Sequence, residues 1–404
     1  MNRLPFSSIR QIAILLLLFC VISSPGFGAT ARRRHRRHVA RAAVSGPIHR
    51  VSTRRTLVTP RVAPLVARVN STAIHAPVIQ GGPWTKPTFA DSTDGDNIDG
   101  EDLGIRRAAV EALGPYNGSV VVVDPMTGRI LTMVNQKIAL SSGFQPCSTI
   151  KVSVALSALA EKAVDPAAKI RLGGMRMDMT YALAHSNNLY FATLGEKLGF
   201  QTVAYYAHLF GYGEKAGLNV ANEQPGHYPS APPRNGGVGM LTSFGEEIQQ
   251  TPLQLASLMS AIANGGTLYY LQYPRTQAEA RAFMPKIKRR LDIGPLIPKI
   301  EEGMRAAVEF GTAHRAREDG PIAGKTGTCS DDHTHLGWFG SFNQVGQRKL
   351  VVVVLLTGGR PAIGPLAAGI AGEVYRRLSA GNYFGANQMV APATLISRQI
   401  CCSR

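Results

Sequence analysis

Phe144-Gln145-Pro146-Cys147-Ser148-Thr149-Ile150-Lys151 is the stretch on which the reading of this 404-residue chain turns. The apolar run Val152 to Leu159 follows it, so the segment reads as the mouth of a buried helix, with Pro146 setting the turn into it. Ser148 and Lys151 stand three apart, a spacing that puts both side chains on one helix face, one turn from each other. A serine hydroxyl becomes a useful nucleophile only when a neighbour takes its proton. Lys151 can do that only as a neutral amine. Burial, the positive end of the helix and a second cation would each push its pKa down. The pattern therefore demands another lysine and a set of oxyanion donors from distant parts of the chain.

Outward from that helix, residues 152–263 read as mostly helical, with apolar residues at helical spacing over Leu183 to Leu198 and Pro252 to Ala263. Upstream, Ile105 to Leu113 suits a helix ended by Gly114-Pro115. Gly118 to Asp124 and Arg129 to Asn135 are β-rich runs joined by Pro125-Met126-Thr127-Gly128, a hairpin. Downstream, Gly324 to Thr328, Leu336 to Phe342 and Leu350 to Leu356 read as strands, followed by a helix over roughly Pro365 to Leu378. Neither set of strands could bury its faces alone, so the two must meet. The expected fold class is α+β: an antiparallel sheet flanked by helices, with a mostly helical insertion between its halves.

The ends of the chain have a different character. Residues 1–31 read as a signal peptide or a short membrane anchor, with Arg3 and Arg10 ahead of an apolar core from Ile12 to Ile22 and an A-x-A-like site at Ala29-Thr30-Ala31. An eleven-residue helix spans roughly 16 Å against a bilayer core of about 30 Å, which favours cleavage. The Arg32-Arg33-Arg34-His35-Arg36-Arg37 run works against easy export. Cys20 follows Leu18-Phe19, a poor match to a lipoprotein site. Residues 32–102 read as a disordered linker, basic and proline-rich and then acidic from Asp91 to Asp102. The acidic part lacks the ligand spacing of a calcium loop and is expected to be a solvated loop. Residues 103–386 are the expected folded domain and 387–404, with Cys401 and Cys402, a tail. The net charge is +18, of which +8 lies in residues 1–102 and +10 in the body. Such a balance suits nucleic acid, an anionic envelope surface met by the basic linker, or lipid headgroups, and charge alone does not choose.

Two further triplets belong with Ser148 and Lys151. Ser186-Asn187-Asn188 lies in the helical block, and Lys325-Thr326-Gly327-Thr328 opens a strand after Gly320-Pro321. Singly, Ser148 reads equally well as a helix N-cap, Asn188 as a mid-helix hydrogen-bonder and Lys325 as a solvated strand charge. Jointly they are far more specific, because S-x-x-K, S-x-N and K-T-G in this order form a serine acyltransferase signature. On these residues the chain resembles the transpeptidase domain of penicillin-binding proteins, within the serine β-lactamase/transpeptidase-like superfamily. The resemblance covers roughly residues 103–380. It extends to Val123 to Leu131, Ser243-Phe244-Gly245, Thr251-Pro252-Leu253-Gln254, Ala263 to Gly266, Gly311-Thr312-Ala313 and Gly337-Trp338-Phe339.

The resemblance implies a D,D-transpeptidase-like enzyme acting on the D-Ala-D-Ala stem peptides of peptidoglycan and acylated by β-lactam antibiotics. It implies no cofactor, no metal and no nucleic acid, and a location at the periplasmic or outer face of the cytoplasmic membrane. Position by position, it implies Ser148 as nucleophile, Lys151 as base, Ser186 as proton relay and Lys325 as the second cation. Asn188 would hold a substrate amide, and Thr326 and Thr328 the terminal carboxylate. The N–H groups of Ser148 and Thr328 would form the oxyanion hole, and Gly327 would keep the strand edge bare for substrate. If Ser148 and Thr328 share that hole, Cys147 and Cys329 fall within disulfide reach, as at the same relative positions of certain carbapenem-hydrolysing class A β-lactamases. The competing readings are a β-lactamase, a D,D-carboxypeptidase and a non-catalytic penicillin-binding sensor or scaffold. A lactamase needs a deacylating glutamate. Glu223 sits at a suitable distance, but Glu223-Gln224-Pro225-Gly226-His227 lacks the asparagine expected four residues on and better fits the Glu–Gly–Pro loop of penicillin-binding proteins. His333-Thr334-His335 could offer two metal ligands, but no third is evident, and a polar hairpin tip is the expectation.

Overall fold

The computed structural model describes residues 84–385, apart from 219, 319, 332 and 344–347. The expected export segment, the linker up to residue 83 and the tail at 387–404 lie outside the described residues. None of the described helices is long and apolar enough to cross a membrane.

Runs of β-branched residues build the centre. Strands β1 (Gly118–Asp124), β2 (Arg129–Val134), β3 (Ile322–Asp331), β4 (Thr334–Asn343) and β5 (Val351–Gly358) form one antiparallel sheet in the order β2-β1-β5-β4-β3. The two halves expected from the sequence meet where β1 pairs with β5, Val122 opposite Val352. Both strands are apolar at every central position because both faces are covered. Val121, Val123, Val351, Val353 and Leu355 enter one core, while Val120, Val122, Val352, Val354 and Leu356 enter a second.

In chain order the main helices are α1 (Leu103–Leu113), α2 (Ile150–Ala160), α3 (Met179–Ala184), α4 (Asn188–Leu198), α5 (Phe200–Leu209), α6 (Gly237–Phe244), α7 (Pro252–Ala263), α8 (Ile297–Glu309) and α9 (Gly364–Ala380). Helices α1 and α9 cover the second core, and the insertion covers the first. All twelve residues of α7 are buried. A Thr251/Gln254 capping box and Pro252 in its first turn define its start. Helix α2 is buried over ten consecutive residues, as an apolar helix without a polar face must be.

The structure departs from expectation in two places that matter here. The segment 84–102 was assigned to the linker, yet it is laid against the domain. Asp102 caps α1 by accepting from the amides of Gly104 and Ile105. Asp96 accepts from the amides of Asn135 and Gln136 and pairs with Arg106 at 2.7 Å. Glu101 accepts from Thr132, Met133 N and Tyr273, and pairs with the same guanidinium at 3.3 Å. These two carboxylates are consumed by backbone amides and a buried arginine, so that part of the acidic patch is not solvated, although Asp91, Asp94 and Asp99 are exposed, and the folded domain begins well before residue 103. The second departure is a break in the long helical pattern from Leu183 to Leu198. Helix α3 ends at Ala184, Ser186 adopts φ +57°, and Asn187 caps α4 by accepting from Tyr190 N at 2.9 Å. A side-chain cap overrides the apolar periodicity.

Candidate active site

The turn that carries Ser148 is held from several sides. Cys147 has φ +51°, an uncommon backbone region for a residue with a Cβ. Residues Cys147–Thr149 form a single 3₁₀ turn that runs into α2. Phe144 and Gln250 exchange backbone hydrogen bonds of 2.9 and 2.8 Å, the Trp338 indole N–H donates to Gln145 O at 2.9 Å, and Thr149 Oγ1 donates to Pro146 O at 2.7 Å. Gly245, at φ +70°, lets α6 end against Pro146; a Cβ there would lie 2.3 Å from the proline ring. Cys147 and Cys329 are joined by a disulfide with their Cα atoms 5.5 Å apart, which pins the turn to β3. Ser148 is left 9% exposed.

Lys151 is fully buried beneath it. Its Nζ lies 2.6 Å from Ser148 Oγ, 2.8 Å from Asn188 Oδ1 and 2.6 Å from Ser243 O. Desolvation, followed by the charge of Lys325, holds its pKa well below the usual lysine value. A neutral amine has two N–H bonds and one lone pair. Asn188 Oδ1 and Ser243 O can only accept, so they take the two N–H bonds. The lone pair is then left for the Ser148 O–H. This is the geometry of a base holding its nucleophile.

Lys325 is also fully buried and donates to Ser186 Oγ at 2.8 Å and Thr326 O at 3.0 Å. Burial pushes its pKa down to about 7. The break between α3 and α4 makes this contact possible, because it turns Ser186 out of the helix while Asn188 begins the next one. Thr326 Oγ1 lies 2.6 Å from Thr312 Oγ1, and Thr328 Oγ1 accepts from Gly364 N at 2.8 Å. The three triplets thus converge around Ser148.

Gly327 has a packing reason for being glycine beside the one the resemblance implied. It is buried, and a Cβ on it would meet Pro146 O at 2.9 Å, Trp338 Cβ at 3.1 Å and Thr149 Cγ2 at 3.2 Å. The missing Cβ permits this edge strand to lie on the turn that carries Ser148. Three partners of the site went unread in the sequence. Ser243-Phe244-Gly245 enters the sequence reading only as part of the resemblance, yet the Ser243 carbonyl accepts from Lys151 Nζ. Thr312 and Gln250 contact Thr326 and Thr149. A backbone acceptor leaves no side-chain signature.

Glu223 is buried, and its carboxylate accepts from Ala216 N at 2.8 Å and Gly217 N at 3.0 Å. It clamps its own loop. His335 Nδ1 lies 2.9 Å from Ser330 Oγ and its ring stacks 3.9 Å from Trp84, while His333 O accepts from Thr85 N. These residues hold the β3–β4 tip to the N-terminal segment.

An antiparallel sheet of this order, with a helical insertion delivering a serine and a lysine to its edge strand, defines the β-lactamase/transpeptidase-like class of proteins. Within that class, residues 118–378 match the family model described as penicillin binding protein transpeptidase domain, and the chain belongs to that family. Stage V sporulation protein D of Bacillus subtilis is 28% identical over 311 residues, with 66% of this chain and 48% of that protein covered. The peptidoglycan D,D-transpeptidase FtsI of Escherichia coli is 25% identical over 252 residues, covering 52% of this chain and 43% of that protein. The chain thus spans about half the length of the curated relatives it matches. Among solved structures, Pseudomonas aeruginosa PBP2 in complex with WCK 5153 superposes with a TM-score of 0.62 at 23% identity, covering 72% of this chain and 77% of that one, a likeness of fold.

Proposed function

We propose that the protein is an exported serine D,D-transpeptidase that acts on D-Ala-D-Ala stem peptides of peptidoglycan and is acylated by β-lactams at Ser148. The observation that carries this reading is the buried Lys151 amine 2.6 Å from Ser148 Oγ, with both of its N–H bonds already taken by strict acceptors.

In the first half-reaction Ser148 Oγ bonds to the carbonyl carbon of the penultimate D-alanine while its proton passes to Lys151. The N–H groups of Ser148 and Thr328 receive the oxyanion, a contribution typically worth about 3–4 kcal/mol for one donor. As the C–N bond breaks, Ser186 gives its proton to the leaving amine of the terminal D-alanine and is reprotonated by Lys325. The product is an ester on Ser148 and free D-alanine. In the second half-reaction an acceptor amine attacks the ester and gives up a proton, and the protons on the two lysines return to their starting positions. Asn188 orients a peptide amide, and Thr326 and Thr328 bind the terminal carboxylate beside Lys325.

Glu223 supports the transferase reading over a β-lactamase. Its oxygens are committed to Ala216 N and Gly217 N, so this glutamate is engaged in holding its own loop and not a deacylating water. The apolar N-terminal segment and the disulfide suit an oxidising compartment outside the cytoplasm, where peptidoglycan lies. The test is incubation with a synthetic stem peptide ending in D-Ala-D-Ala and a labelled D-amino acid. Release of D-alanine with incorporation of the label supports transpeptidation. Release without incorporation points to a carboxypeptidase, and no release despite penicillin labelling points to a sensor.

A further inference from the structure

Each threonine of the expected carboxylate site has a hydrogen-bonding neighbour on its hydroxyl. For Thr328 that neighbour is an N–H, from Gly364 at the start of α9, which can only donate. The Thr328 hydroxyl therefore accepts there and keeps its own proton for something else. For Thr326 the neighbour is the hydroxyl of Thr312, 2.6 Å away, and either oxygen can be the donor. The direction matters. A hydroxyl has one proton. If Thr326 spends it on Thr312, only lone pairs remain to face an anion. If Thr312 donates, the Thr326 proton is free to point at a carboxylate.

The backbone around Thr312 is built to hold that hydroxyl in place. Thr312 N donates to Ala184 O at 3.0 Å, Ala313 N to Ala307 O at 2.8 Å and Gly311 N to Ala306 O at 3.0 Å. Gly311 leaves no room for a Cβ, which would fall 2.2 Å from Ala184 O. One turn after α8 is thereby tied both to the end of α3, two residues before Ser186, and to the second residue of the Lys325-Thr326-Gly327-Thr328 strand.

We propose that Thr312 is a positioning residue that donates to Thr326 Oγ1 and thereby commits the Thr326 proton to the terminal carboxylate of the substrate. The inference rests on the transpeptidase reading above and deepens it. The Thr312 hydroxyl sets the selectivity for a carboxylate-bearing ligand, and the acylation chemistry at Ser148 does not depend on it.

The test compares second-order acylation rates of the full chain by benzylpenicillin and by its methyl ester, which lacks the anion. Variants are Thr312→Val, Thr312→Ser, Thr326→Val and the double Thr312→Val/Thr326→Val. A hydrogen bond to a charged group is worth enough for about a tenfold or larger change. Thr312→Val is expected to slow acylation by benzylpenicillin at least about tenfold and leave the ester rate unchanged, and Thr312→Ser to restore the preference. The double variant should behave like Thr326→Val alone. The inference is overturned if Thr312→Val keeps the wild-type preference, loses both rates equally, or adds its effect to that of Thr326→Val. A wild-type protein that neither penicillin acylates would remove the transpeptidase reading itself, and this inference with it.

Discussion

Substituting Gly327 by alanine tests the packing of strand on nucleophile turn. The added methyl group would sit 2.9 Å from Pro146 O and within 3.2 Å of Trp338 and Thr149. The contact with a backbone oxygen cannot be relieved by rotating a side chain, so β3 and the turn must part by about half an ångström. The disulfide between their flanking residues resists the separation. Overpacking of this kind costs about 1–3 kcal/mol of stability. The cost to chemistry should be larger, because Ser148 N and Thr328 N lie on the two pieces being pushed apart. Loss of one oxyanion donor costs about 10²–10³ in rate, and a partial misplacement should cost about tenfold to hundredfold. The assay is the rate of labelling by a fluorescent penicillin, with a thermal melt run in parallel. Gly174→Ala is the control, since its Cβ would meet nothing within 4 Å. Wild-type labelling by Gly327→Ala would refute the argument.

Two other perturbations follow from the same geometry. The Lys325 pKa falls from 10.5 to about 7 on folding, so between these values the unfolded chain binds a proton that the folded chain has shed, and stability should rise with pH across that window. Denaturant midpoints from pH 7 to 9.5 would show this, below the range where tyrosines raised to about 12, such as Tyr212, pull the other way; Lys325→Met should reduce the slope and leave the part due to the other buried lysines, Lys151 foremost. Reducing the Cys147–Cys329 bond, which joins residues 182 apart in sequence, should cost about 2–5 kcal/mol in chemical unfolding and slow penicillin labelling. Unchanged unfolding and labelling after full reduction would show that the bond does not hold the site.

Much of this fold is written in local patterns. The β-branched runs of β1 and β5 and the capped, wholly apolar α7 follow from periodicity and capping, because their burial is uniform. The candidate site was legible through three short triplets, whose Ser148, Lys151, Ser186, Asn188 and Lys325 side chains the structure brings into contact. What escaped was non-local. Asp96 and Glu101 looked like a solvated cluster because Arg106 and the amides at the end of β2 become their partners only after folding. The break at Ser186 was hidden by an apolar pattern that continues through it. The packing constraint on Gly327 was hidden, since what its missing Cβ would strike comes from residue 146, far away in sequence. Ser243 contributes a carbonyl, which any residue has.

We propose Ser148 as an activated nucleophile held by a neutral Lys151. The measurement that meets this proposal most directly is intact mass of the protein over time after mixing with penicillin, with Ser148→Ala alongside. One long-lived adduct of the drug's mass is expected, mapped to Ser148 and absent from the alanine variant. No adduct, an adduct that survives in Ser148→Ala, or one that disappears within seconds as hydrolysed drug accumulates would contradict it.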